Sequence, residues 1–421
     1  MRVNMGYQRK NAASILDISL RKLVRLLCAG MFATTILAQG QTYTVLHYFT
    51  GGGDGGGPVA GLTMAGPESF YGAAAYGGFE ENGTVFNLRQ VESSWILNPI
   101  HTFQGGFDGA DPEAAPTIGP DGSLYGTTYE GGTAPLCGIG CGIVYKLTPP
   151  ANFCRLASCP WTETVLHRFH LTDGAFPGYG KLIFDRAGNL YGTTSGGGAN
   201  GLGTVFELTP SNGSWVETVL YSFSSDLDGY LPYGGVIFDN AGNLYGTTQN
   251  GGPNGNGTVY ELSPAGSGWT KLILLSFDGG NQGGGPTGGV VMDAEGNLYG
   301  STIADGPQGG GTAYRLSLSN GQWNFTLLAG LPSAFDGPLD APTLDAAGNV
   351  YLTSKQALGN GAVFEVTSSD GGWQLNVLHA FSGSDGSWPT DSVVLDASGN
   401  VYGTTNVGGD GNWGVVWEIM P

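Results

Sequence analysis

The sequence predicts an all-β fold, a seven-bladed β-propeller of four-stranded blades whose N-terminal strand completes the last blade. Three observations predict it. A tyrosine recurs at Tyr71, Tyr125, Tyr191, Tyr245, Tyr299, Tyr351 and Tyr402, at intervals of 54, 66, 54, 54, 52 and 51 residues. Beyond the first forty residues, no segment has the 3.6-residue apolar periodicity of a long helix. The last repeat stops at its third apolar stretch, Trp417-Glu418-Ile419, whereas Tyr43 to Phe49 reads as a fourth stretch with no repeat ahead of it. Units of this length exceed a solenoid coil and suit a propeller blade. The orphan stretch can close the ring, which removes the exposed sheet edges of an open array.

Each unit divides into four strands. The first is a short apolar run such as Gly235-Val236-Ile237-Phe238. A turn follows, Asp-x-x-Gly-Asn in its fullest form, at Asp185, Asp239, Asp293, Asp345 and Asp396. Its Asp accepts bonds from nearby amides and its Gly takes the positive φ of a tight hairpin. The second strand is Tyr-Gly-Thr-Thr, the third Gly-Thr-Val-Phe-like, and the fourth begins near a Trp (Trp95, Trp161, Trp215, Trp269, Trp323, Trp373). A double glycine follows the second strand except in units five and six, whose loops are expected to differ in shape.

The N-terminus is of another kind. Six basic residues precede the apolar run Leu26 to Ala38, with Asp17 the one acid. This is the pattern of a signal peptide over residues 1–38, leaving 39–421 as a single propeller domain. The run is short for an uncleaved membrane anchor, the reading weighed against it. Without residues 1–38 the chain keeps nine basic and 33 acidic residues, a formal charge of −24. Such a surface disfavours nucleic acid and anionic lipid. The expectation is a secreted or periplasmic monomer with no membrane insertion after cleavage. Cys137, Cys141, Cys154 and Cys159 then read as disulfides. A strand of nine residues, Gly142 to Pro150, would hold its ends ~30 Å apart. That favours local pairs 137–141 and 154–159 over crossed pairs, and over a four-thiolate zinc site.

Candidate chemistry lies between each fourth strand and the next first strand, where Asp-Gly-x-x-Pro or a variant recurs. Its aspartates are read as Asp54, Asp108, Asp173, Asp228, Asp278, Asp336 and Asp385. They form either an acidic ring for Ca²⁺ or a hydroxyl-rich ligand, or a repeated turn with no ligand, which a motif needed in every blade favours. His47, His101, His167 and His379 repeat near the end of the fourth strand, on different blades, too far apart to share one metal. Glu207, Glu261, Glu365 and Glu418 also repeat, without the two unlike environments of a catalytic carboxylate pair. Nucleophile-elbow, zincin and phosphate-loop motifs are absent. No catalytic residue, metal site or obligatory cofactor is assigned.

The units Gly188-Asn189-Leu190-Tyr191-Gly192-Thr193-Thr194 and Gly203-Thr204-Val205-Phe206-Glu207-Leu208, with their counterparts from Gly242 and Gly257, resemble the Gloeo/Verruco (GloVer) tandem repeat of exported bacterial proteins. The resemblance covers nearly all of 42–421 and implies export and repeat architecture, with no activity attached. Members often end in a sorting or anchoring segment; this chain ends at a strand, so free secretion or a periplasmic location is expected. The functional expectation is a non-catalytic binding or scaffold protein engaging a glycan, peptide or cell-envelope component through loops at the channel mouth. The alternative is a propeller lyase or hydrolase acting on polysaccharide.

Overall fold

Seven four-stranded antiparallel sheets are arranged as the blades of a propeller in a computed structural model that describes residues 41–132, 137–150, 161–178, 180–332, 339–369 and 371–421. The signal-peptide reading of 1–38 lies outside the described residues, as do Cys154, Cys159 and Asp336. Blade three shows the common plan: Ile183–Phe184, Leu190–Thr194, Thr204–Ser211 and Ser214–Ser222 pair in chain order. The last blade is built from Val394–Leu395, Val401–Thr405 and Val415–Met420, with Thr42–Tyr48 as its fourth strand. Phe49 N–H bonds the Gly414 carbonyl at 3.1 Å. Within other blades Phe103 and Phe223 bond Gly83 and Gly203 in the same way. The seam therefore reproduces an ordinary blade.

In blade three every position of the Tyr-Gly-Thr-Thr strand has a structural role. Tyr191 donates to Glu207 at 2.8 Å and to Asp185 at 3.2 Å, while Asp185 also accepts the Ala187 and Asn189 amides, both at 2.8 Å. Tyr351 and Tyr402 meet Glu365 and Glu418 alike, so these glutamates are structural. Gly192 leaves room for Phe206, whose ring would lie 2.7 Å from an added Cβ. Thr193 bonds the Gly234 carbonyl of the next blade at 3.0 Å, and Thr194 meets Thr204 within its own blade at 2.8 Å. The same tie to the next blade is made by Thr247, Ser301 and Thr353, so blades three to six are each fastened to their neighbour. The tryptophans serve the same joints: Trp95, Trp161, Trp215 and Trp323 pack on the tyrosine of the preceding blade, with ring centroids 5.7–6.5 Å apart.

Core side chains fall into seven clusters, each shared by adjacent blades, as in the set joining Tyr191 and Val205 to Leu244 and Tyr260. The inner rim is glycine-rich because the next blade's backbone leaves no space: Gly234 faces Gly288 and Gly289, and Gly288 faces Asp340 and Ala341. Unit six has a different loop after its second strand, closed by Gly361 N–H on the Ala357 carbonyl at 2.9 Å. Unit five departs less than the sequence suggests. Asp305 adopts the left-handed φ of the missing glycine, +60°, and its carbonyl accepts the usual bond from Gly311.

Cys137 and Cys141 are joined by a disulfide, with Cα atoms 5.3 Å apart. Such a bond belongs to oxidising compartments. Among the described residues no helix is long and apolar enough to cross a membrane.

Candidate functional site

The linker aspartates turn back onto their own loops. Asp54, Asp108, Asp173, Asp228 and Asp385 accept the backbone N–H of Thr50, Gln104, His170, Ser224 and Ser382, at 2.7–3.1 Å. Three also meet a fourth-strand histidine: His47–Asp54 at 3.1 Å, His167–Asp173 at 3.2 Å and His379–Asp385 at 3.0 Å. Asp278 requires a correction of register. It occupies the place of Thr50 and Ser224, and its own N–H bonds Gln282 Oε1 at 3.3 Å. Gln282 is therefore the fifth counterpart of the aspartates. The Asp-Gly pair misled because Gly279 lies in a turn four residues ahead of the glycine that matters, Gly283.

The residues that face the channel mouth belong to two other rings. One lies just before the linker proline, and the other follows the second strand. They are bonded to each other: Tyr129 N–H to the Asp111 carbonyl at 2.8 Å, Ser195 to Phe176, Gln249 to Leu231 and Asn406 to Trp388, each at 3.0 Å. The pre-proline residues share one backbone conformation, φ of +58° at Asp111 and Leu231, +59° at Phe176 and Trp388, and +61° and +66° at Gly57 and Gly285. Glycine meets this requirement without strain, yet four blades carry a side chain there. Left-handed φ in such residues costs on the order of 1 kcal/mol each and clusters at functional sites.

Between the rings lies a cavity of about 350 Å³, lined by Glu113, Tyr129, Tyr233, Gln249, Thr287, Ile303, Leu339 and Lys355. Blade two concentrates acid there. Burial, together with the Glu130 carboxylate, lifts Asp111 from its ordinary 3.8 to about 7. Burial, then Asp111 and Glu130, lift Glu113 from 4.5 to about 8. Asp111 Oδ1 and Glu113 Oε2 are buried without a hydrogen-bond partner among the described residues. Tyr129 is pushed up to about 12, first by burial and then by Tyr233 and the same carboxyls. Its ring stacks on Phe176 at 5.1 Å, and Lys355 Nζ lies 5.3 Å from the Trp388 ring centroid.

At the inner rim the repeat is broken again by Asp340, Asp391 and Lys181. Lys181 Nζ, from blade three, reaches the Leu62 carbonyl of blade one at 3.2 Å. Asp391 lies over Gly61, where an added Cβ would collide with its carboxyl group. Burial and then Asp340 raise Asp391 well above the ordinary carboxylate range, with Lys181 opposing them.

The arrangement offers aromatic faces, carboxyls whose pKa is raised toward neutrality, an amide and an ammonium. None of these mouth residues was singled out from the sequence. Their signal is positional: they flank the linker proline and the second strand, where the copies differ most.

Residues 139–339 match the Gloeobacter/Verrucomicrobia repeat. No curated protein matches the chain by sequence. Among solved structures, the chain is similar to an ulvan lyase of a new polysaccharide lyase family, bound to -[GlcA(1-4)Rha3S]-. That match has 14% identity and a TM-score of 0.53, and covers 90% of this chain and 95% of the other. A putative 6-phosphogluconolactonase from Bacteroides uniformis ATCC 8492 matches at 12% identity and TM-score 0.48, covering 76% of this chain and 84% of the other. The ulvan lyase shares the fold.

Proposed function

We propose that the protein is an exported binding propeller that takes a glycan at the channel mouth. The observation that carries this reading is the ring of left-handed Asp111, Phe176, Leu231 and Trp388, where glycine would serve the fold alone. Tyr129, Tyr233 and Trp388 supply stacking faces, and Asp111, Glu113 and Gln249 supply donors and acceptors for hydroxyls. Export is supported by the basic-then-apolar N-terminus and by the Cys137–Cys141 bond. The overall negative charge argues for neutral or weakly charged glycans over densely anionic ones. A glycan array followed by calorimetry on the strongest hit tests the reading. Tyr233→Ala and Trp388→Ala should each weaken binding about tenfold, the scale of one lost stacking contact. A chain that binds no glycan, or whose binding survives both changes, refutes it.

A second reading, catalysis on polysaccharide, is favoured by one observation. Asp111 and Glu113 sit together with pKa values of about 7 and 8, suited to general acid and base roles. Turnover of a polysaccharide reduced ~10²-fold or more by Glu113→Gln would establish it. Turnover indifferent to that change would discard it.

A further inference from the structure

Asp108, Asp173 and Asp228 each lie in a niche between two neighbouring blades. The fourth strand of the blade before, the linker, and the fourth strand of the blade after form its walls. In the niche between blades three and four these walls supply Tyr221, Asp228 and Lys271. The Lys271 ammonium lies 3.0 Å from Asp228 Oδ1, and its side chain is 4% exposed. It also donates to the Asp228 carbonyl and stands 4.9–5.7 Å from the Tyr221, Phe223 and Tyr260 ring centroids. A built-in cation occupies this niche.

The two preceding niches have the opposite sign at the same register. Lys271 pairs across its sheet with Leu262; Glu163 and Glu217 pair with the equivalent Leu147 and Leu208. The tyrosine is replaced by His101 or His167. His101, Asp108 and Glu163 bring one ligand atom each within 4.8 Å of one another, and His167, Asp173 and Glu217 do the same. In the first set His101 Nε2, Asp108 Oδ1 and Glu163 Oε1 are buried with no hydrogen-bond partner among the described residues. In the second, Glu217 Oε1 is likewise unpartnered, and His167 Nε2 lies 3.2 Å from Asp173 Oδ2 without an aligned hydrogen bond. Two carboxyls and an imidazole converge where the next niche holds a positive charge. Niches with a single carboxylate resolve it differently: Asp54 meets His47 at 3.1 Å, and Asp385 meets His379, on which Tyr43 stacks at 3.8 Å.

We propose that the niches between blades one and two and between blades two and three are divalent transition-metal sites, each ion standing where Lys271 stands one niche further on. One imidazole nitrogen with two carboxylate oxygens suits Zn²⁺, Co²⁺ or Mn²⁺ better than Ca²⁺. Bonds of ~2.0–2.2 Å would set tetrahedral ligand atoms ~3.4 Å apart, so modest side-chain movement closes the site and leaves a fourth position for water. The first ion would fasten the linker that carries Asp108 and, three and five residues on, Asp111 and Glu113 of the mouth. Together the two ions would clamp blade two to both neighbours.

The test uses the full exported chain, stripped with chelator. Zn²⁺ binding is measured by equilibrium dialysis, and Co²⁺ binding by its visible absorption. We expect two equivalents in the wild type, one in Glu163→Gln or Glu217→Gln, and none in the double variant. Thermal stability should rise with Zn²⁺ in the wild type and not in the double variant. Glu217→Lys, which copies the third niche, should fold, bind one equivalent, and reach without metal the stability that Zn²⁺ confers there. A wild type that binds neither ion at micromolar concentration overturns the proposal, as does a double variant that retains the wild-type stoichiometry. A fall in binding to cysteine-directed substitution instead of these changes would also overturn it.

Discussion

Glu113→Gln isolates the electrostatic cost of the channel mouth. Burial, Asp111 and Glu130 raise Glu113 from 4.5 to about 8, so the folded chain holds a proton that the unfolded chain releases near pH 4.5. Its contribution to stability is therefore complete below that pH and is lost as pH rises through about 8. At ~1.4 kcal/mol per pH unit, the interval sets a ceiling of ~5 kcal/mol. Sharing of protons with Asp111 and access of water at the mouth reduce this to the order of 3 kcal/mol. For a propeller of this size unfolding entropy gives ~1 °C per kcal/mol. Between pH 5 and 9, the wild type should lose several degrees of Tm, and Glu113→Gln should recover about 3 °C of that loss. Scanning calorimetry at fixed ionic strength reads both curves. Parallel curves for the two proteins, or a wild type that gains stability from pH 5 to 9, would refute the assignment.

Three further outcomes test the framework. Gly246→Ala should destabilise by ~2 kcal/mol, because the new methyl meets the fully buried Tyr260 ring 2.7 Å away; urea titration measures it. Lys271→Met should cost about 3 kcal/mol, since it removes the counter-ion of Asp228, whose carboxyl burial pushes up but Lys271 holds below its ordinary range. The loss should shrink as pH falls through the carboxylate range, because protonated Asp228 needs no partner. Cys137→Ser opens a loop of sequence separation 4, for which chain entropy gives ~2 kcal/mol. Comparison with the reduced wild type checks that value.

Blade number, strand order and the closing seam were legible in the sequence because repetition makes each element visible seven times. The Asp185 turn and the Tyr191–Glu207 contact were legible as motifs, although not as partners. The mouth was not, since Glu113, Tyr233 and Lys355 matter where the repeat stops repeating, and a periodic reading discounts such positions. The meeting of Asp108 with Glu163 was hidden for another reason. It depends on how one blade's linker falls against the next blade's outer strand, fifty-odd residues away, which no local pattern encodes. Asp278 shows the converse hazard: an Asp-Gly pair occurs in the linker, yet the bond geometry selects Gln282.

The seam also fixes an order of events in folding. Blades one to six each need only neighbouring sequence, so their hairpins can form from contacts of short separation and at local rates. The seventh cannot finish until Val415–Met420 finds Thr42–Tyr48, the two ends of the described chain. Ring closure is therefore the slow, high-contact-order step. While it waits, one strand edge stays available to the leading strand of another molecule, and exchange between chains becomes the characteristic route to a dimer. Dilution during refolding should select the self-closed ring.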